Sequence, residues 1–386
     1  MKILGITNLF PNHCQPLRGI FNKQQFVALS RLCALKVVAP VPWFPKGCHQ
    51  DPRSIYAEVA KEENIDGISV YHPRYFVIPK IARSFYGYFF LWGVSPTIKF
   101  LSKKNSFDAI LATWAYPDAF AAALIAKKMG KPLVIKVHGT DINVTTRYFW
   151  RRMMIKYALH RATKIIAVSR ALKEKMIHLG IPEKKIEVVV NGVDPTIFKK
   201  MDPHECREKL SLPQDKKHVV FIGNLVEIKG VKHLIEAFKD LPEDIFLNVV
   251  GSGVLRNALE ELVKKFGLED RIIFRGKRPY EEIPLWYNAA DIFCLPSLEE
   301  GCPNVVLEAL ACGTPVVASR VGAIPDVVDS LPKGILVTPA DAPALKEAIL
   351  QRLKLIQEDR GEFHHNHFDW AHNAQKVLRI LEEVSR

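Results

Sequence analysis

Short apolar runs alternate along this chain with stretches whose apolar positions return every three or four residues. The first kind reads as buried strand and the second as amphipathic helix. Strands are expected at Lys2 to Thr7, Leu35 to Ala39, Ile68 to His72, Ala109 to Thr113, Leu133 to His138, Lys164 to Val168 and Ile186 to Val190. Helices are expected between them at Ile20 to Leu32, Asp118 to Met129, Tyr148 to Arg161 and Ala171 to Leu179, the last with Ser169 as its cap. After the turn-rich Asn191-Gly192-Val193-Asp194-Pro195 the alternation restarts, with strands at Val219 to Gly223, Phe246 to Val250, Ile272 to Phe274, Ile292 to Leu295, Val316 to Ala318 and Ile335 to Val337. Apolar strands separated by helices imply parallel sheets covered on both faces. The expectation is an α/β chain of two doubly wound, Rossmann-like domains, residues 1–195 and 196–367, with a final amphipathic helix from Ala371 to Val384. Ligands of such sheets sit beyond the carboxyl ends of the strands, so a central cleft faced by both domains is the expected site.

One stretch concentrates the chemistry. The strand ending at Leu295 runs into Pro296-Ser297-Leu298-Glu299-Glu300-Gly301-Cys302-Pro303, and a helix then starts near Asn304 and stops at Gly313. The first turn of that helix carries the positive end of the peptide dipoles and amides without helical partners, which makes it a seat for a phosphate or diphosphate. Glu300 lies just before the helix and Glu308 about one turn into it, so two carboxylates flank the anion site. A molecule with phosphates in its middle and hydroxyls at both ends fits, and a sugar nucleotide has that shape. Elsewhere Gly19, in Pro16-Leu17-Arg18-Gly19-Ile20-Phe21, opens the first helix, and His138-Gly139-Thr140-Asp141 ends a buried strand. Phe221-Ile222-Gly223-Asn224 ends the first strand of the second domain and leads to Lys229-Gly230. The Gly251 and Gly253 of Val249-Val250-Gly251-Ser252-Gly253 lack the third glycine of a dinucleotide fingerprint, because Arg256 stands in its place. A close strand-to-helix turn explains them equally well.

Taken together, Glu300 and Glu308 with Pro-Ser before them and Glu-Ala-Leu-Ala-Cys-Gly-Thr-Pro-Val-Val after them resemble the Glu-x7-Glu motif of the retaining glycosyltransferases of family 4, which have the GT-B fold. The resemblance implies that the last helix crosses back to the first domain, so that residues 368–386 join residues 1–195. It implies that His138 contacts the donor sugar and that Gly19 faces the donor diphosphate. Lys229 neutralises that diphosphate, Glu300 binds the sugar hydroxyls with the backbone of Gly301, Cys302, Pro303, Asn304 and Val305, and Glu308 binds the ribose. Gly223, Gly251 and Gly253 line the nucleotide. Asn224 departs from the pattern, since the family usually carries an Arg there, and Cys302 stands where an aromatic residue is frequent. The implied reaction moves a sugar, with retention, from a UDP or GDP donor to a glycan or lipid-linked acceptor in cell-envelope polysaccharide or glycolipid synthesis. No separate cofactor and no metal are expected, and Lys229 with the helix start would do what a divalent cation does elsewhere.

Charge adds a second partner. Of the 386 residues, the first 195 carry 29 Lys and Arg against 12 Asp and Glu, a net +17, while the remainder carries 25 against 29, a net −4. A strongly basic half faces an anionic partner, which could be a membrane surface, a phosphorylated lipid or a nucleic acid, and a membrane surface is expected; the alternative is a basic solvated face. No helix-turn-helix, RNP or zinc signature accompanies the charge, so nucleic acid is not expected as a partner. The run Ser84 to Ile98, without a charge and rich in Phe, Tyr and Trp, is flanked by Lys80, Arg83, Lys99, Lys103 and Lys104. It is too short and too interrupted by Gly and Pro96 to span a bilayer. Two readings stand open for it, a segment lying in a membrane interface or lining a lipid acceptor groove, and an ordinary buried helix. With no secretory signal read at the amino terminus and seven Cys in no ligand or disulfide pattern, a cytoplasmic protein, peripheral on the inner face of the membrane, is expected. Two rival activities remain: a glycoside hydrolase using Glu300 and Glu308 as acid and base, and a basic nucleic-acid-binding protein.

Overall fold

The computed structural model describes residues 1–45, 51–77, 83–329, 334–356 and 368–386. Lys80 and Cys48 lie outside them. The chain divides into two compact units, Met1–Asn191 with Trp370–Arg386, and Gly192–Asp369.

In the first unit, strands β1 (Lys2–Ile6), β2 (Ala34–Val38), β3 (Glu62–Ile65), β4 (Ile68–Tyr71), β5 (Ala109–Thr113), β6 (Leu133–Val137), β7 (Lys164–Ala167) and β8 (Ile186–Val188) form one sheet in the order β8-β7-β6-β5-β1-β2-β4-β3. Every pairing is parallel except that of β3 with β4. The β3 edge, Glu-Glu-Asn-Ile, is too polar to read as a buried strand. It forms because Asp66 and Gly67, both at positive φ, turn the chain straight back. In the second unit, β9 (Lys217–Ile222), β10 (Ile245–Val250), β11 (Ile272–Gly276), β12 (Ile292–Leu295), β13 (Val316–Ser319) and β14 (Gly334–Val337) make an all-parallel sheet in the order β11-β10-β9-β12-β13-β14. Central strands such as β5 and β6 are buried at every position, as sheets covered on both faces require. All of the strands expected from the apolar runs are present.

The strand orders place one functional constraint on each unit. Chain direction across the sheet reverses between β1 and β5 in the first unit and between β9 and β12 in the second. The loops beyond the carboxyl ends of those strands diverge there and leave a crevice for a ligand.

The last helix, Trp370–Ser385, belongs to the first unit. Its Trp370, Ala374, Val377, Ile380 and Leu381 are buried in one cluster with Phe26 and Leu29 of the helix α1 (Ile20–Ser30). A buried polar network fixes its register: Gln25 Nε2 donates to Asn373 Oδ1 (2.6 Å), Asn373 Nδ2 to the Val190 carbonyl (2.6 Å), and Lys136 Nζ to Gln25 Oε1 (3.1 Å) and Asn191 Oδ1 (2.8 Å). Lys136 is fully buried in the middle of β6. A buried ammonium is tolerated only where its donors are met, and these amide oxygens meet two of the three.

The aromatic run becomes α2 (Tyr86–Lys104), which buries Gly87, Phe90, Val94, Ile98 and Leu101 on one face. Gly87 and Gly93 bring it in tightly, since a Cβ on Gly87 would meet Phe120 at 2.6 Å and one on Gly93 the Arg74 carbonyl oxygen at 2.6 Å. The buried-helix reading therefore holds for this face. The opposite face is exposed. Among the described residues no helix is long and apolar enough to cross a membrane.

Candidate functional site

In the second unit the site is built by two loops laced together at the switch point. After β9, Gly223 and Asn224 lead into a short turn, Glu227–Lys229, and Gly230 opens the helix Val231–Phe238. After β12, the chain runs through Ser297 and Glu300 to the helix Asn304–Ala311. The Leu298 amide donates to the Ile228 carbonyl (2.8 Å), joining the loops. Gly230, at φ +62, lies so close that a Cβ would stand 2.1 Å from the Pro296 carbonyl oxygen. The far side of the Glu300 loop is braced by the Ala323 amide, which donates to the Gly301 carbonyl (2.8 Å).

This lacing places Lys229 Nζ 2.5 Å from Glu300 Oε1, with side chains 19% and 9% exposed. Ser297 Oγ donates to the same oxygen (2.7 Å). Sequence treats Lys229 and Glu300 as holders of different parts of a ligand; in the structure they are partners. Glu300 Oε2 has no partner among the described residues, and an ammonium has three donors, of which Glu300 takes one. The pair can thus present a carboxylate oxygen and two N–H donors to one ligand. The Asn304–Ala311 helix starts beside Glu300 with Pro303, which has no capping side chain, at its N-cap. Glu308 sits on that helix. Burial pushes its carboxyl up to about 7, and the hydrogen bond from Tyr287 opposes the shift. Tyr287, fully buried, donates its hydroxyl to Glu308 Oε2 at 3.1 Å. Tyr287 is not legible as a site residue, because it sits in an apolar helical stretch like any core aromatic.

The remaining glycines and Asn224 divide by cause. A Cβ on Gly251 would stand 1.9 Å from the Gly223 carbonyl oxygen, and one on Gly253 2.3 Å from that of Leu225. The turn after β10 is thereby pressed backbone-to-backbone on the loop after β9, so packing alone demands these two glycines. Asn224 is exposed at the end of β9. Gly301, Cys302, Asn304 and Val305 are half-buried and Pro303 buried, in the loop and first turn that adjoin Glu300.

In the first unit the switch-point loops carry a different chemistry. Gly19, at φ +60, caps α1 with its Cα against Leu9, where a Cβ would meet the carbonyl oxygen at 2.2 Å. His138 follows β6. Asp141 Oδ1 accepts the amides of His138 (3.0 Å) and Gly139 (2.8 Å), and Oδ2 accepts that of Ala115 (2.9 Å). Asp118, also buried, accepts the amide of Asn8. Both carboxyls are raised by burial and turned onto backbone amides, so they shape loops instead of meeting solvent. The His138 ring stands 4.8 Å from Phe21 and is stacked at 6.0 Å on Trp114. Burial first and Lys136 second hold the imidazole well below its ordinary pKa, hence neutral. Its Nε2 is buried with no hydrogen-bond partner among the described residues. Trp114 has φ +97, an outlier for a bulky residue. No pattern in the sequence marks it.

Two family models cover the chain in succession: Glycosyltransferase Family 4 matches residues 36–197, and Glycosyl transferases group 1 matches residues 202–369. The chain belongs to glycosyltransferase family 4. This family-4 glycosyltransferase is 29% identical to TuaC of Bacillus subtilis, a glycosyltransferase named for teichuronic acid biosynthesis, over 100% of this chain and 99% of that one. It is 28% identical to N-acetyl-alpha-D-glucosaminyl L-malate synthase of Bacillus anthracis, over 74% of this chain and 76% of that one. Among solved structures, sucrose-phosphate synthase from Thermosynechococcus elongatus superposes with a TM-score of 0.80 at 21% identity, covering 99% of each chain. HepE of Anabaena in complex with UDP-glucose superposes at 0.73 and 21% identity, over 99% of this chain and 100% of that one. The fold is GT-B.

Proposed function

We propose that this glycosyltransferase moves a sugar, with retention at the anomeric carbon, from a nucleoside diphosphate donor to a glycan or lipid-linked acceptor during polysaccharide synthesis. The observation that carries the reading is the Lys229–Glu300 pair at the switch point of the second unit, with one carboxylate oxygen and two ammonium donors left for a ligand. A diphosphate would take Lys229 and the first turn of Asn304–Ala311, a sugar hydroxyl would take Glu300 Oε2, and the ribose diol would take Glu308 Oε1. HepE is named with UDP-glucose, which supports a UDP-sugar as the first donor to test. TuaC, together with an amylovoran biosynthesis glycosyltransferase of Erwinia amylovora that is 32% identical over 68% of this chain and 66% of that one, supports a polysaccharide product.

In this reading the sugar's bond to the diphosphate breaks as the acceptor oxygen bonds to the anomeric carbon on the same face. The departing phosphate takes the acceptor proton. Negative charge grows on the leaving oxygen, so a preorganised cation and helix dipole stabilise the transition state more than the ground state. Neutral His138, with its unsatisfied Nε2, offers a hydrogen bond to an uncharged hydroxyl.

Differential scanning fluorimetry against UDP- and GDP-sugars, followed by NMR of the product's anomeric configuration, tests this. One donor is expected to raise the Tm, and turnover should persist in EDTA. Lys229→Ala, in a chain whose melting curve shows it folded, should lower kcat/KM by about 10²- to 10³-fold. An undiminished rate in that variant, or an inverted product, would overturn the proposal.

A further inference from the structure

The positive excess of the first unit does not gather at its switch-point loops. Seven of its cations sit on two helices, α2 and the helix Phe149–Arg161, which carry Lys99, Lys103, Lys104, Arg151, Arg152, Lys156 and Arg161 and no acidic residue. Those helices also hold most of the large exposed aromatics. On α2, Tyr88 and Trp92 stand one turn apart on the face opposite Phe90 and Val94, with Phe100 two turns further on. On the second helix only Ile155, Ala158 and Leu159 are buried, which leaves Phe149, Trp150 and Tyr157 outside. Trp92 and Trp150 are each 66% exposed.

The two helices form one surface. Tyr88 meets the buried Phe120 edge-on at 5.2 Å, and Tyr157 meets the same ring at 6.0 Å. The cations are held over the exposed rings: Lys104 Nζ lies 4.4 Å from the Phe100 centroid and the Arg152 guanidinium 5.9 Å from that of Phe149. A water-facing surface does not leave two tryptophans two-thirds exposed without cause, and a patch of this kind marks an interaction site.

We propose that this face docks on an anionic lipid bilayer. Charge complementarity selects that occupant: the surface has one sign of charge across both helices, which suits a sheet of acidic headgroups and opposes a second copy of itself. Trp and Tyr are the residues that favour the headgroup level, because each ring has an apolar body and a polar edge. Lys104 and Arg152, whose charged ends lie over Phe100 and Phe149, have stems long enough to carry the charge to a headgroup while the aromatic ring stays at the apolar boundary. The helices lie along the surface and do not cross it, consistent with the absence of a membrane-spanning helix among the described residues. In this proposal the Ser84 to Ile98 run serves by faces, one buried and the other at the membrane interface.

Flotation with phosphatidylcholine vesicles, with and without phosphatidylglycerol, tests the proposal on the full chain and needs no sugar donor, so it is independent of the donor reading. Binding is expected with phosphatidylglycerol at low salt, with a blue shift of tryptophan emission, and is expected to fall away in phosphatidylcholine alone and at high salt. Each Lys→Gln change at Lys99, Lys103 or Lys104 should weaken binding about fivefold. The double variant Trp92→Ser with Trp150→Ser should weaken it at least about tenfold while the melting curve shows it folded. No flotation at low salt would overturn the proposal. So would equal binding by the tryptophan variant, or a self-association that the same variant abolishes in a chain that does not float.

Discussion

The two switch points share a topology and differ in electrostatics. In the second unit a lysine, two carboxylates and a helix start gather at the ends of β9 and β12, and Glu300 and Glu308 each keep an oxygen for a ligand. In the first unit Asp141 is spent on three backbone amides and Asp118 accepts one, and beside them lies a neutral, buried imidazole between aromatic rings. One crevice holds a cation and carboxylates, the other a neutral ring. The doubly wound sheet fixes where a ligand sits, while the loop residues decide its charge.

Removing the inward carboxylate tests that contrast most severely. Asp141→Ala leaves three buried amides without an acceptor, and a loss of about 4 kcal/mol in unfolding free energy by urea titration is expected. If the loss is under about 1 kcal/mol, Asp141 does not organise the His138 loop. In the second unit a smaller effect should come from Glu308 and carry a pH signature. Its folded-state value of about 7 exceeds the ordinary 4.5, so the folded chain holds this proton more tightly than the unfolded one. The contribution is therefore fully present below pH 4.5 and is lost as pH rises through 7. Against Glu308→Gln, the parent should lose about 2 kcal/mol of stability between pH 4.5 and 7.5, after discounting for the exposed edge of the residue. Parallel pH profiles for the two proteins would contradict the assignment. The smallest effect concerns Asn224, exposed where the family usually carries an Arg. Asn224→Arg adds a cation to a crevice that already has one, and steady-state kinetics should show kcat/KM raised about fivefold. An unchanged or lowered value would mean that Lys229 and the helix start already suffice.

Much of this was legible residue by residue. The apolar runs marked the strands, because burial on both faces of a parallel sheet leaves no room for polar positions. The polar edge strand Glu62–Ile65 escaped for the converse reason, since only its turn and its neighbour hold it. Glu300, Glu308, Lys229 and His138 stood out in the sequence by residue type and by their place in the loops and helix that follow strands. Their partners were not: Tyr287 and Trp114 look like core aromatics in the sequence, and a positive φ at Trp114 leaves no trace in composition.

By itself the sequence determined two α/β units, a strand-to-helix segment carrying two glutamates, and a first half with a large positive excess. Each is a local property, readable from spacing or from counting. Only the tertiary structure decided that Lys229 and Glu300, 71 positions apart, share a bond, because their loops meet through Leu298 and Ile228 at a sheet reversal. It also decided which face of the aromatic helix is turned inward, because helical periodicity marks a stripe and the neighbouring Phe120 and Arg74 select the side that is buried.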